Sequence, residues 1–248
     1  MRPEQKFHSK GYLEINQARF DHLESLGIYF KGAVILEVGA GIGDHTENLL
    51  NLGVARVIAT DARKENLAIL KEKFKEKDDI TVLKLDIENP SDLPYHYDIC
   101  YCYGLLYHLA NPGKAIKEMA ERCDLLLIES AVSFEYSKEN DVNPCKENAA
   151  IPSHSPHGAA CRPGRRWIFN ELKKYFEFVY VPFTQPKNVY YPIFWSTSLN
   201  GVTWNQRLAR AVFIGSRKEI DNPDLKEYVP ISQDYFEKEK DHGNNSTE

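Results

Sequence analysis

Apolar runs alternate with helix-like segments through the first half of the chain. The run 33–38 is rich in β-branched residues and ends at glycines, and the next segment has helical spacing of its apolar residues until Gly53. The same alternation predicts further strands at 56–60, 80–85, 98–103 and 124–130. Strands that alternate with helices pair in parallel and are covered on both faces, so the pattern predicts a doubly wound α/β fold.

The regular alternation stops after the fifth predicted strand. Residues 132–166 show no sustained periodicity, and so long a loop in a compact domain is typical of a lid or binding segment. A helix from 167, a sixth strand at 177–183 and a last strand at 209–217 follow, with an aromatic insertion at 184–208 between the two strands. The pattern also predicts an N-terminal cap helix at 11–30. We expect one domain over 1–231 and a polar, disordered tail at 232–248.

Composition narrows the possible functions. The chain has 248 residues, enough for one sizeable core, and a net charge of -5, which offers no broad basic surface for a nucleic acid. No apolar run approaches the roughly 20 residues that span a bilayer, and the N-terminal segment lacks the apolar core of a signal peptide. We therefore expect a cytoplasmic protein that does not bind a membrane, and the acidic balance disfavours a nucleic acid as its partner. The five cysteines are expected to be free thiols, and the oligomeric state is not indicated.

A glycine-rich turn follows the first predicted strand. Glu37, Gly39, Gly41 and Gly43 form the pattern E-x-G-x-G-x-G, with Ala40 inside the turn. Glycines let the backbone turn sharply and approach a ligand closely. In a dinucleotide fingerprint the third glycine follows the second by three positions, whereas here the interval is two. A carboxylate at Glu37 would repel phosphates but attract an ammonium group, so the turn favours S-adenosylmethionine (SAM) over NAD.

Two aspartates end the next two predicted strands. Asp61, followed by Ala62, is placed to accept hydrogen bonds from the ribose hydroxyls, a requirement that SAM and NAD share. Asp86 is placed to contact the adenine amino group, with Ile87 packing on the ring. The alternative is that both aspartates only cap helices.

The fourth strand and its loop read YDICYCYGLLYHLANP, from 97 to 112. Residues 11–131 resemble bacterial class I SAM-dependent methyltransferases, in which a strand ending in Gly-x-Leu-Tyr-His precedes an Asn/Asp-Pro turn. The resemblance extends more weakly to 167–176 and 183–195. It implies a Rossmann-like, seven-stranded, mostly parallel sheet with an antiparallel last strand, acceptor-side insertions, and Tyr103 and Gly104 as further cofactor residues.

His108 is the first candidate for a catalytic residue. It follows a central strand at the carboxyl edge, where ligands of such sheets bind, and it could remove a proton from an acceptor hydroxyl. The alternative is that His108 only orders its own loop.

The acceptor is expected to contact the loops that follow the central strands. Arg165 and Arg166 could bind an anionic group on it, although they could equally be a solvated helix start. The aromatic insertion could form either an acceptor wall or a packed cap. The predicted acceptor residues are Tyr107, Arg165, Arg166, Trp167, Gln185 and Trp195.

The lid also contains two cysteines and two histidines. Their positions, 145, 154, 157 and 161, match no common zinc-ligand spacing, so we expect no metal.

The sequence therefore favours a methyltransferase that moves a methyl group from SAM to a small molecule or glycan, at oxygen, and releases S-adenosylhomocysteine (SAH). Three alternatives stay open. They are methylation of a modified tRNA base, which the acidic balance opposes, a SAM-binding module without chemistry, and an NAD-dependent oxidoreductase.

Overall fold

A computed structural model describes residues 2–90, 93, 96–134, 138–195 and 209–238. The helices are α1 (Pro3–Phe7), α2 (Lys10–Glu24), α3 (Asp44–Asn51), α4 (Lys64–Lys73), α5 (Pro112–Ala120) and α6 (Arg165–Leu172). The strands are β1 (Val34–Val38), β2 (Arg56–Asp61), β3 (Ile80–Lys84), β4 (Tyr97–Tyr103), β5 (Cys123–Val132), β6 (Pro144–Lys146), β7 (Ala159–Cys161), β8 (Phe178–Pro182), β9 (Thr184–Gln185), β10 (Ala209–Ser216), β11 (Leu225–Lys226) and β12 (Asp234–Tyr235). None of the helices in these ranges is long and apolar enough to cross a membrane.

One sheet of eight strands, in the order β11-β8-β10-β5-β4-β1-β2-β3, forms the centre of the molecule. Strands β1 to β5 run parallel, and β10 lies antiparallel between β5 and β8. The predicted Rossmann-like sheet with an antiparallel last long strand is confirmed. The prediction of seven strands missed β11, which pairs antiparallel with β8 and is too short, at two residues, to give a periodic pattern.

Apolar side chains on both faces of the sheet explain the continuous apolar runs in the sequence. Leu36 and Val38 of β1 pack in the same cluster as Ile116 of α5. Ile35 points to the other face and packs with Leu49 of α3. A strand that is buried on both faces appears in the sequence as a continuous apolar run, without alternation of polar and apolar residues. These runs made the strands recognisable.

The chain order reverses between β1 and β4, because the chain passes from β3 at one edge back across the sheet to β4. At such a switch point the loops after the two neighbouring strands diverge and leave a crevice at the carboxyl edge of the sheet. The glycine turn after β1 and the loop after β4 therefore border the same crevice.

The N-terminal segment forms two helices. The predicted cap helix at 11–30 corresponds mainly to α2, which ends at Glu24, and the short α1 precedes it. The buried face of α2 carries Asn16, Arg19 and His22 next to apolar Ile15 and Leu23. A helix that buries so many polar groups needs partners for them. One of these partners, His45, contacts Asn16 and lies at the crevice.

The two predicted insertions and the predicted tail all contribute to the packed structure. The segment 132–166 contains the antiparallel pair β6 and β7, and β9 lies in 184–208, of which the structure describes residues up to 195. The fold continues past the predicted boundary at 231, since β12 pairs with β9 and Gln233 is only 1% exposed. The charged residues that flank β12 in the sequence led to the prediction of a disordered tail instead of a strand. Residues 239–248 of the predicted tail lie outside the described residues.

Candidate functional site

A cleft of about 1010 Å³, its open mouth included, lies at the carboxyl edge of the sheet. Loops after β1, β2, β3 and β4 form its floor, α1 and α2 one wall, and the lid residues 152–157 another. Ten of the eleven residues predicted to bind the cofactor line this cleft, namely Glu37, Gly39, Ala40, Gly41, Asp61, Ala62, Asp86, Ile87, Tyr103 and Gly104.

The glycine turn is held open by the neighbouring strand. The backbone N–H groups of Gly39 and Ala40 both donate to the carbonyl oxygen of Thr60, at 2.9 and 2.7 Å. Gly39 has φ +80°, and a Cβ there would lie 3.1 Å from the side chain of Leu105. A side chain at Gly39 would thus crowd Leu105, and the bare backbone of the turn lines the cleft instead.

Gly43, the eleventh residue, is not among those that line the cleft. It precedes α3 with φ +87°, and a Cβ would lie 2.5 Å from Phe74 and 2.8 Å from Leu70. Its place in the motif is explained by the close packing of α3 on α4.

We expect Gly43→Ala to lower the free energy of unfolding by about 2–4 kcal/mol, because it combines left-handed backbone strain with overpacking. Denaturant unfolding followed by circular dichroism measures this. Gly32→Ala is the matched control, since Gly32 has φ +79° but nothing within 4 Å of an added Cβ, and should cost only about 1–2 kcal/mol. Equal losses in the two variants would show that packing at Gly43 contributes nothing.

Asp61 organises the turn and the start of the next crossover. Its Oδ2 accepts hydrogen bonds from the Gly41 backbone N–H at 3.0 Å and from Asn66 at 3.2 Å, and its Oδ1 accepts one from the Arg63 backbone N–H at 2.8 Å. Burial raises the pKa of Asp61, and these donors partly offset the rise. A carboxylate has about four acceptor positions, so one remains for a ligand hydroxyl.

Glu37 is buried at the carboxyl end of β1 and accepts a hydrogen bond from the hydroxyl of Thr46. Burial raises the pKa of Glu37 to about 7, and the Thr46 bond partly opposes the rise. The carboxyl group is therefore only partly ionised at neutral pH. A cationic ligand beside it would favour the charged form.

Four buried polar atoms that border the cleft have no hydrogen-bond partner within the described ranges. They are Asp44 Oδ2, Asn66 Oδ1, Tyr103 Oη and His154 Nδ1. Buried polar atoms almost always have a partner, so a cluster of unsatisfied ones fits a site that is completed by a polar ligand. Acceptors near Asp44 and Asn66, with a donor at Tyr103, suit a molecule that carries both amino and hydroxyl groups, as SAM does.

His108 ends the 3-10 turn Leu106–His108 that follows β4 and lines the cleft. Its Nδ1 lies 2.5 Å from Oε2 of Glu147, a residue of the lid. Burial lowers the pKa of His108, although Glu147 raises it. The pKa of Glu147 falls to about 2, because the hydrogen bond from His108 and its positive partners outweigh burial. A neutral His108 then donates Nδ1–H to the Glu147 carboxylate and leaves Nε2 free as an acceptor.

The sequence interpretation missed Glu147. It lies 39 positions from His108 in a segment without periodicity, and its only signal was an acidic residue in the predicted lid. The Ser155 backbone N–H donates to Glu147 Oε2 at 2.9 Å, and Arg162 lies 3.3 Å from Oε1. The lid therefore supplies Glu147 and fixes its position beside His108.

Arg63 ties the lid to the floor of the cleft. Its guanidinium donates to the carbonyl oxygens of His154 and Ala149, while its backbone N–H binds Asp61. Cys161 of the lid is buried and its thiol contacts the carbonyl oxygen of Leu106. Within the part of the chain that the structure describes, no group of three or more His, Cys, Asp or Glu is arranged to hold a metal ion.

The predicted acceptor residues, in contrast, do not line this cleft. Arg165 is buried, pairs with Glu139 at 2.9 Å and stacks 3.7 Å from the ring of Trp195, and Arg166 also pairs with Glu139. Gln185 and the indole of Trp195 both bind Gln233. These residues join the insertion to the C-terminal segment.

The remaining aromatic residues are divided between packing and surface. Trp167 is half-buried against the core, and the buried Tyr107 accepts a hydrogen bond from Arg210. Tyr191 is also buried, whereas Phe194 is 67% exposed. Trp204, which the aromatic-wall hypothesis included, lies outside the described residues. The described aromatic residues of the insertion do not line the cleft.

A buried polar network stands behind the cleft, and the sequence interpretation missed it. Glu129, at 0% exposure near the end of β5, contacts Arg19 of α2 at 2.6 Å and Arg210 of β10 at 3.0 Å, and accepts a bond from Tyr191 at 2.8 Å. Burial alone would raise the pKa of Glu129, but the two guanidinium groups outweigh it and hold the pKa below its usual range. The available signal was one charged residue within each of two apolar strands.

Comparison with known proteins gives one family match and several structural matches. Residues 35–124 match the family model of a methyltransferase domain. No match was found among curated proteins. The N-terminal domain of EvdMO1, solved with SAH and D-fucose, is similar with a TM-score of 0.58 and 19% identity over 85% of this chain and 84% of that one. A SAM-dependent methyltransferase from Mesorhizobium loti has a TM-score of 0.54 and 12% identity over 79% and 95% of the two chains. The fold is a Rossmann-like methyltransferase fold.

Proposed function

We propose that the protein is a methyltransferase that uses SAM and methylates an oxygen atom of a small molecule or glycan. The main observation behind this proposal is that one cleft brings together the glycine turn, Asp61 and the His108–Glu147 pair. The methyltransferase-domain match over residues 35–124 supports the reaction class. The SAH bound to the N-terminal domain of EvdMO1, which has the same fold, supports SAM as the cofactor.

The cleft residues fit the parts of SAM. The bare backbone of Gly39 and Gly41 admits a close ligand, the free acceptor position of Asp61 suits a ribose hydroxyl, and Glu37 suits the amino group. Asp86 and Ile87 remain the proposed adenine contacts. When bound, SAM supplies an electrophilic methyl group on a sulfonium.

Methyl transfer from a sulfonium is an in-line displacement, so alignment of the acceptor provides much of the acceleration. An oxygen acceptor also loses a proton. His108 Nε2 is free to accept it, and Glu147 holds the imidazole in the tautomer that leaves Nε2 unprotonated. Lid residues 152–157 form one wall of the cleft and limit the access of water to the reacting atoms.

A cleft walled by the lid and by the N-terminal helices favours a small acceptor over a structured RNA. D-fucose, a free sugar, is present in the crystals of the EvdMO1 domain, which agrees with a glycan or sugar hydroxyl as the acceptor class. A tRNA base would need basic surface that the net charge of -5 does not favour.

Calorimetric titration with SAM, SAH and NADH tests the cofactor. We expect SAM and SAH to bind and NADH to give no heat of binding. SAH at about 100 times its dissociation constant should add roughly 2.7 kcal/mol to the stability. Transfer of a radiolabelled methyl group from SAM to extracts and pools of sugars then tests the reaction. Tight SAM binding with no transfer to any pool would instead support a non-catalytic SAM-binding module.

Asp61→Ala should weaken SAH by about tenfold or more, or roughly 1.5–3 kcal/mol, because a charge-assisted bond to the ribose is lost. Calorimetry on protein shown to be folded by circular dichroism measures the change. Asp78→Ala is the control, because Asp78 is exposed and precedes β3 at the opposite edge of the sheet. Unchanged SAH affinity in Asp61→Ala would refute the proposed orientation of the cofactor.

A further inference from the structure

Two buried arginines share one carboxylate behind the cleft. Arg19 is 2% exposed and Arg210 is 7% exposed, and both contact Glu129. Their other hydrogen-bonding partners are neutral. Asn16 and Tyr191 bind Arg19, and Tyr107 binds Arg210.

This cluster carries more positive than negative charge. Its two guanidinium groups stay protonated, because Glu129 raises the pKa of each despite burial. The neighbouring His45 adds no further positive charge, because burial and Arg19 lower its pKa well below the usual value. A buried charge without a counter-charge is costly, so an anionic group in the adjoining space would be strongly favoured.

Arg19 connects the cluster to the cleft. It lines the cleft, and a Cβ at Gly104 would lie 3.3 Å from its Nη2, so this glycine leaves the edge of the guanidinium uncovered. Three of its five N–H groups bind Asn16, Glu129 and Tyr191. One N–H on each Nη has no acceptor among the described residues. Two such donors on one planar group match the two oxygens of a carboxylate.

Tyr12 of α2 lines the same wall of the cleft, and its hydroxyl has no hydrogen-bond partner within the described ranges. Burial raises the pKa of Tyr12 to about 12, with a smaller rise from Tyr107 and a partial offset from Arg19. The hydroxyl therefore remains a proton donor at neutral pH. It supplies a further donor on the wall of the cleft that Arg19 also lines.

We propose that Arg19, assisted by Tyr12, binds a carboxylate group of a ligand held in this cleft. The inference rests on the proposed function, because two carboxylates could reach this wall. One is the carboxylate of the SAM amino-acid moiety and the other is a carboxylate on the acceptor. Both would provide the negative charge that the cluster lacks.

Titrations of the wild-type protein distinguish the two sources. The first compares SAH with its decarboxylated analogue, which retains the amine. The second compares acetate with acetamide on protein saturated with SAH. A tenfold or greater loss on decarboxylation assigns the site to the cofactor, whereas saturable binding of acetate but not acetamide assigns it to the acceptor. Either result supports the proposal, and the absence of both overturns it.

Arg19→Lys tests whether the discrimination arises at this residue. Lysine keeps the charge beside Glu129 but loses the two-pronged donor edge, so the preference for the carboxylate-bearing probe should fall by about tenfold. Arg122→Lys is the matched control, because Arg122 pairs with Glu118 just before β5, at the opposite edge of the sheet. An equal preference in wild type and Arg19→Lys would overturn the proposal.

Tyr12→Phe provides a second variant should Arg19→Lys fail to fold. It removes only the hydroxyl, and the preference for the carboxylate probe should fall about tenfold or more, because one hydrogen bond to a charged group is lost. An unchanged preference would count against the proposal. Failure of the wild type to bind SAH at all would refute the proposed function, while tight SAH binding that is indifferent to Arg19 would refute only this inference.

Discussion

Replacement of His108 by glutamine is expected to lower the rate of methyl transfer by about 10²- to 10⁴-fold and to leave SAH affinity within a few-fold of wild type. The reason is that Nε2 is the free acceptor at the carboxyl edge of β4, while the proposed cofactor contacts come from other residues. Single-turnover transfer of a radiolabelled methyl group measures the rate. A loss of less than about threefold would mean that His108 only orders its loop.

Glu147→Gln is the companion variant, because glutamine can accept the Nδ1–H bond but carries no charge. The catalytic form of His108 is neutral, so the rate should rise with pH through the pKa of His108, which burial holds below 6.5. Glu147 raises that pKa, so the charge-free variant should show the rising limb at lower pH and a lower plateau. A purely structural role for Glu147 would lower the plateau without moving the limb.

The central sheet and the cofactor side of the cleft could be predicted because their signals are local. Strand β1 is buried on both faces and therefore reads as an unbroken apolar run, and its glycine turn is contiguous in sequence. The carboxyl ends of parallel strands meet at one edge, so Asp61 and His108 could be placed near each other from topology alone.

The polar network behind the cleft and the surroundings of Arg165 could not be predicted, because their contacts join distant parts of the chain. Arg19 and Glu129 are in contact although they lie 110 positions apart in the sequence. The hydrophobic pattern around each residue does not indicate which residue it contacts. The same limitation explains the assignment of Arg165 to an acceptor, since nothing in the sequence showed that Glu139 lies next to it.

Glu129→Gln should have the largest effect on stability of any variant considered, a loss of about 3–5 kcal/mol, because it leaves two buried guanidinium groups without a counter-charge. Denaturant unfolding at pH 7 measures the loss. Glu72→Gln is the control, since the Glu72 side chain is 74% exposed in its pair with Lys75 and should contribute less than about 1 kcal/mol.

The pH dependence identifies the cause of that loss. The folded pKa of Glu129 is depressed, so its contribution to stability is complete above the pKa of the unfolded chain, near 4.5, and is lost as the pH falls through the folded value. The difference between wild type and Glu129→Gln should therefore be constant from about pH 5 to 8 and shrink in stronger acid. A difference that persists unchanged into acid would mean that shape and hydrogen bonding, not charge, make Glu129 essential. The carboxylate would then no longer account for the burial of two arginines beside the cleft.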